Sequence, residues 1–350
     1  MVHPVHIAGP CSVESPEQVR TAALDIRRHA PDITVLRGGI WKPRTRPNSF
    51  EGRGAEALPW LVEAGRSAGL RVTTEVANPD HVEAALAAGV DIVWLGARTT
   101  VSPFIVQSIA DALRGCEVPV LIKNPVNPDV KLWLGAVERI EEAVTGHVAV
   151  IHRGFSTYGS TVYRNPPHWE IPLELRRLRP DLRILCDPSH IGGRRSLIGP
   201  LSQQAMDLGF DGLMVETHPT PDEALSDAAQ QVTPARLGEI LRGLIRRRDE
   251  DAEESIGEDL QAMRGRIDDI DARVIDLLGE RMGIAARIGD LKQLRDIAIH
   301  QPERWSRVVR NGLDRGRSLG LSESFLLEFF QKVHHESIQQ QLGGVDDDVA

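Results

Sequence analysis

Eight short β-prone runs, each followed by a helical pattern, constrain the fold of this chain more than any other feature. The runs are Val5–Gly9, Ile33–Arg37, Arg71–Val76, Ile92–Gly96, Val118–Lys123, Val148–His152, Arg183–Cys186 and Gly212–Glu216. Amphipathic stretches such as Pro16–His29, Gly54–Ala68, Pro79–Ala88 and Pro103–Arg114 lie between them. Eight strand–helix units within about 250 residues is the count for a (β/α)8 TIM barrel. A doubly wound sheet also accommodates the alternation, but eight units favour closure.

The strand ends carry the chemistry. An apolar run ending at Leu36 leads into Arg37-Gly38-Gly39, and Lys42, Arg44 and Thr45 follow within eight residues of Arg37. Gly9-Pro10-Cys11, Glu75, Gly96-Ala97-Arg98, Lys123-Asn124, His152-Arg153, Asp187-Pro188-Ser189-His190 and Glu216-Thr217-His218 close the other strands. Barrel enzymes build active sites at this end. A single cation there is ordinarily a loop residue, but polar endings on eight consecutive strands mark a site. Arg37, Lys42, Arg44, Arg98, Lys123 and Arg153 exceed what one phosphate requires and suit two anionic substrates. Cys11, His190, Glu216 and Asp227 are a mixed donor set suited to a divalent transition metal.

Composition sets the compartment. The 350 residues allow one large and one small domain. A net charge of -9 argues against nucleic acid or an anionic membrane as partner. No run approaches a bilayer span, Met1–Pro10 lacks a signal-peptide pattern, and the three cysteines are scattered, so a cytoplasmic protein is expected. The chain starts just before its first strand, so no N-terminal regulatory domain is expected.

After Arg246-Arg247-Arg248 the β-prone runs stop. Asp249–Asp259 holds seven acidic residues. From Leu260 an apolar 3/4 alternation runs through Met263, Ile267, Ile270, Val274, Leu277, Ile284, Ile288 and Leu291. Arg281 interrupts it, and an arginine at a seam position calls for an anion. Lys292 lies three turns further along the same face. Helices over Pro302–Leu319 and Ser322–Gln341 follow, with Ser337 and Gln341 on one face. Three helices do not enclose the long one, so a dimer is expected to complete the core. The expected domains are a barrel over 1–248, an acidic linker over 249–258, an all-α domain of three helices over 259–342 and an acidic tail over 343–350.

Gly9-Pro-Cys-Ser-Val-Glu14, Leu36-Arg-Gly-Gly-Ile-Trp-Lys-Pro-Arg-Thr45, Leu95-Gly-Ala-Arg98, His152-Arg-Gly-Phe155, Asp187-Pro-Ser-His-Ile-Gly-Gly193 and Val215-Glu-Thr-His-Pro219 with Ala224-Leu-Ser-Asp227 resemble 3-deoxy-D-arabino-heptulosonate 7-phosphate (DAHP) synthases. The similarity covers residues 1–245 and lies in the branch near the 3-deoxy-octulosonate 8-phosphate synthases. It implies condensation of phosphoenolpyruvate with erythrose 4-phosphate. It also implies Cys11, His190, Glu216 and Asp227 as ligands of a divalent metal, manganese first. Arg37, Lys42, Arg98, Lys123 and Arg153 match the phosphoenolpyruvate cations, and Lys42-Pro43-Arg44-Thr45 the erythrose-phosphate motif, with Lys42 as candidate proton donor. The octulosonate synthases, which take a five-carbon sugar phosphate, usually carry a different motif there.

Arg264-Gly-Arg-Ile-Asp-Asp-Ile-Asp271, Leu278-Gly-Glu-Arg281 and Ile288-Gly-Asp-Leu-Lys292, followed by Arg304, Ser337 and Gln341, are similar to the all-helical chorismate mutases. Arg264, Arg281, Lys292, Arg304, Ser337 and Gln341 match that family's active-site positions. Gln301 stands where some relatives have an acidic residue, and Trp305 where many have a glutamate against the substrate hydroxyl. The resemblance implies a bifunctional enzyme of aromatic amino-acid biosynthesis, with chorismate and prephenate as mutase ligands and feedback by the helical domain. Two other readings are an octulosonate-type synthase and a helical module that dimerises or regulates without turnover.

Overall fold

A computed structural model describes residues 5–42, 50–159, 161–245 and 258–342. The chain forms two compact units, Met1–Asp249 and Glu250–Ala350. Arg44 and Thr45 lie outside the described residues, as do the tail over 343–350 and the acidic stretch up to residue 257.

In the first unit eight parallel strands close into a barrel in sequence order. They are β1 (Val5–Gly9), β2 (Ile33–Arg37), β3 (Arg71–Val76), β4 (Ile92–Leu95), β5 (Val120–Lys123), β6 (Val148–His152), β7 (Arg183–Cys186) and β8 (Gly212–Glu216). Closure pairs Val5 with Gly212 and Gly9 with Glu216. Around them lie α1 (Pro16–His29), α2 (Leu58–Ala68), α3 (Pro79–Ala87), α4 (Ala97–Thr100), α5 (Pro103–Ala112), α6 (Val130–Glu141), α7 (Glu170–Leu178), α8 (Pro188–Gly192), α9 (Ile198–Asp207) and α10 (Pro234–Gly243). The local signals are explicit: Ser15 and Asn78 cap α1 and α3 through their side chains, each with proline next. Two strands are shorter than the β-prone runs. Pro119 has no N–H to donate, so β5 begins at Val120, and Gly96 leaves β4 to cap α4.

The barrel interior is a separate apolar layer of Ile7, Val35, Ile92, Trp94, Leu121, Ile151, Leu185 and Met214. Side chains alternate across a strand, so the residue two further on points into the same interior. Two residues after Val35, Leu121, Ile151, Leu185 and Met214 stand Arg37, Lys123, Arg153, Asp187 and Glu216. The apolar floor and the charged mouth are therefore one pattern continued for one more step.

The second unit contains α11 (Glu258–Gln293), α12 (Pro302–Ser318) and α13 (Glu323–Leu342). Helix α13 packs against both others. A Cβ on Gly289 would sit 2.6 Å from the Gln341 carbonyl oxygen, so glycine permits the close approach of α11 to α13. Met263, Ile267, Ile270 and Leu277 on α11 are each more than half exposed. No helix among the described residues is long and apolar enough to cross a membrane.

Candidate active sites

At the C-terminal mouth of the barrel, Arg37 pairs with Glu216 (Nη2 to Oε1, 3.2 Å), and both are buried. Gly39 lets the backbone turn here: a Cβ would lie 2.3 Å from the Cys11 carbonyl oxygen and 3.1 Å from the Lys42 side chain. Lys42 Nζ donates to that carbonyl and to Cys11 Sγ, each at 3.0 Å. One ligand atom each from Cys11, Glu216 and Asp227 falls within 4.8 Å of the others. His190 stands beside Glu216, its Nε2 3.8 Å from Oε1, but outside that group of three.

Asp187 organises this corner through both oxygens. Oδ1 accepts from the His190 backbone N–H at 3.0 Å and caps α8. Oδ2 accepts from Lys123 Nζ at 2.8 Å and lies 2.7 Å from His190 Nδ1. Anchoring Nδ1 leaves Nε2 for a metal, the arrangement in which an outer carboxylate orients a histidine ligand. The thiol and two carboxylates of that group, with the imidazole beside it, have the donor chemistry that suits a divalent transition metal.

Burial, then Glu216, pushes the Cys11 thiol up to about 11. Burial opposes charge on Asp227, yet Arg164 and His190 hold it down at about 2. Burial also opposes charge on Lys42, but Cys11 and Glu216 raise its pKa, so it stays protonated. Arg153 is lowered to about 10 by burial, with Asp187 opposing.

Lys42, Arg98, Lys123 and Arg153 share a cavity of about 570 Å3 with His190 and Asp227. Glu75 lines it too, accepting from Trp94 Nε1 at 3.1 Å. Three residues at this mouth are absent from the sequence reading. Arg164 pairs with Asp227 at 3.3 Å, Gln230 donates to Glu216 Oε2 at 2.6 Å, and Gln231 accepts from the Cys11 N–H at 2.9 Å. All three lie in the segments after β6 and β8, Gln230 closing a short 3-10 turn from Ala228, where no periodicity marks them. Asp227 itself holds a left-handed backbone, φ 45°, a strained setting found at functional positions.

In the helical unit a cavity of about 360 Å3 is lined by Arg281, Lys292, Arg304, Ser337 and Gln341. Arg281 donates to Ser337 Oγ. Lys292 Nζ donates to Gln341 Oε1 at 3.0 Å and to the Ile299 carbonyl at 2.5 Å. Burial, then Arg304, lowers the Arg281 pKa. Arg264 is exposed on α11 and does not line the cavity.

The DAHP synthetase I family model matches residues 3–250, and the chorismate mutase type II model residues 263–342. The chain belongs to the DAHP synthetase I family. A phospho-2-dehydro-3-deoxyheptonate aldolase of Thermotoga maritima is 35% identical over 236 residues, 67% of each chain. A 2-dehydro-3-deoxyphosphooctonate aldolase of Wolinella succinogenes is 28% identical over 263 residues, 68% of this chain and 97% of the relative. Among solved structures, the Thermotoga maritima aldolase superposes with a TM-score of 0.62 at 32% identity, covering 69% of this chain and 67% of that one. A truncated form of the Thermotoga maritima DAHP synthase gives 0.59 at 31%, covering 69% and 84%. The polypeptide thus joins a DAHP synthase transferase to a chorismate mutase isomerase, two enzymes of aromatic biosynthesis.

Proposed function

We propose that the barrel condenses phosphoenolpyruvate with erythrose 4-phosphate, that a divalent metal assists it, and that the helical unit restrains it when prephenate accumulates. The observation that carries the first part is the meeting of Arg37, Lys42, Lys123 and Arg153 with the Cys11–His190–Glu216–Asp227 donor set at one barrel mouth. Bound by those four donors, a divalent transition metal, with manganese expected, would polarise the aldehyde carbonyl as a Lewis acid. The cations hold the carboxylate and phosphate groups in register, so positioning and electrostatics supply much of the rate. Lys42, kept protonated beside Cys11, gives its proton to the alkoxide as the carbon–carbon bond forms. Water then attacks C2 and phosphate leaves.

In the helical cavity Arg281, Lys292 and Arg304 bind the two carboxylates of chorismate and favour the charge that develops at its ether oxygen. The exposed apolar residues of α11 favour a second copy of this chain as partner, giving a dimer. The likeness to octulosonate aldolases keeps a five-carbon sugar phosphate as the competing aldehyde. Synthase rates with both aldehydes, with and without prephenate, test the reading in the whole chain, in Arg281→Ala and in a chain ending at Arg248. Preference for erythrose 4-phosphate, with inhibition lost in both altered chains, is expected. Equal inhibition of the shortened chain would refute the feedback assignment.

A further inference from the structure

The helical cavity holds one polar group that the resemblance to other mutases does not assign. His334 lies on α13 one turn before Ser337 and two turns before Gln341, so all three share a face. Its ring lines the cavity and stacks on Trp305, with centroids 4.0 Å apart and planes 15° from parallel. On the same ring His300 lies 5.5 Å away. The stack fixes the imidazole plane, and Nε2 is buried with no hydrogen-bond partner among the described residues. An orphaned polar atom in a cavity wall costs stability unless a ligand completes it.

A ring dicarboxylate of the chorismate and prephenate class carries two carboxylates, which the cations can meet, and one ring hydroxyl, whose proton needs an acceptor. Among the described residues no aspartate or glutamate lines the cavity. Gln341 Oε1 is engaged by Lys292, and so is the Ile299 carbonyl. Ser337 Oγ accepts from Arg281 and donates to the Val333 carbonyl at 2.7 Å. Gln301 also lines the cavity, but it is exposed and water can satisfy its amide. His334 Nε2 is the lining group that is buried and without a partner among the described residues.

We propose that His334 Nε2 accepts the ring hydroxyl of the mutase ligand and is the residue that selects for it. Trp305 acts through it as the positioning residue, holding the imidazole plane in place. The proposal rests on reading this cavity as the mutase site. Acceptance requires a neutral ring with its proton on Nδ1. Around it stand Arg281 from α11 and Arg304 from α12 in the cavity wall, with the His300 ring just before α12. Burial, His300 and Arg281 all lower the His334 pKa. It is therefore an acceptor at neutral pH and ceases to be one when protonated in acid.

The test measures mutase kcat/KM in the full chain between about pH 5 and 8 for the native protein, His334→Gln, His334→Leu and Arg281→Ala, with thermal melts of each. A glutamine amide can stand in for Nε2 and does not titrate. His334→Leu should lose roughly tenfold in kcat/KM, as for one missing hydrogen bond to a desolvated group. His334→Gln should recover most of that loss and should lack the fall in activity on acidification that the native chain shows. A native-like rate in His334→Leu, or His334→Gln retaining the acid fall, overturns the proposal. If His334→Leu does not fold, the glutamine variant and its pH profile decide. Undiminished turnover in Arg281→Ala overturns the assignment of the cavity itself. Loss in Arg281→Ala with none at His334 sinks only the hydroxyl contact.

Discussion

Arg264 and Arg281 sit on one continuous helix, so their separation is fixed. Seventeen residues at the helical rise place them about 25 Å apart. A chorismate-sized ligand held by Arg281, Lys292 and Arg304 is therefore out of reach of Arg264 from the same chain, and Arg264 is exposed rather than cavity-lining. If Arg264 serves the mutase, it serves the cavity of a partner, and each site takes one arginine from each protomer. Removing a charged hydrogen-bond donor to a ligand costs about 1.5–3 kcal/mol, so Arg264→Ala and Arg281→Ala homodimers should each fall roughly 10- to 100-fold. Equimolar mixing with free exchange makes about half the dimers mixed, and each mixed dimer has one intact site and one doubly altered site. The mixture should then recover about a quarter of native turnover, well above either parent. The assay is mutase rate before and after mixing, with exchange verified by isolating dimers that carry two different tags. A rate equal to the mean of the parents, despite proven exchange, refutes the shared site.

Two further outcomes concern the barrel. Because the Cys11 thiol is pushed up to about 11, it must release a proton to bind metal, so apparent metal affinity should rise about tenfold per pH unit across neutrality. Cys11→Ser should flatten that dependence and lower metal content and synthase rate together, with mutase turnover unchanged; full synthase activity after chelation would contradict it. Asp187→Asn removes the anion from both Lys123 and His190 and should weaken metal binding about 10- to 100-fold, read by competition with a chelating dye. Unaltered affinity would show that Asp187 does not orient His190.

Much of the barrel was legible because its signals are periodic. Eight alternations imply closure, and the polar residues ending each apolar run mark the mouth, where Arg37, Lys123, Arg153 and Glu216 stand. Arg164, Gln230 and Gln231 carry no such mark, because they come from long connecting segments whose positions are set only by what they bond to. Asp187 was visible in its motif, but its three simultaneous bonds follow from Lys123 and His190 converging in space. In the helical unit the seam exposed Arg281 as an anomaly. His334 stood next to His335, and which of the two faces inward depends on the rotation of α13. Trp305 looked like a departure at one position, whereas its ring is engaged with His334.

The two sites solve the problem of gathering cations in opposite ways, and this bears on which one responds to a ligand. In the barrel the charges are already paired: Arg37 with Glu216, Lys123 with Asp187, Arg164 with Asp227. Such a mouth is preorganised, since each side chain has a partner that fixes it whether or not substrate is present. In the helical cavity no carboxylate among the described residues lines the wall beside Arg281, Lys292 and Arg304, and burial, then Arg304, disfavours charge on Arg281. On the proposed reading, a dianionic ligand there would supply the missing negative charge and bridge α11, α12 and α13. The free energy it releases depends on how far those helices are ordered beforehand, which makes ligand binding and helix order one linked equilibrium. On the proposed feedback reading, the helical unit is therefore the part of the chain whose order a dianionic mutase ligand would set. Any coupling to the barrel must also run in reverse, with synthase substrates shifting prephenate affinity by the same factor.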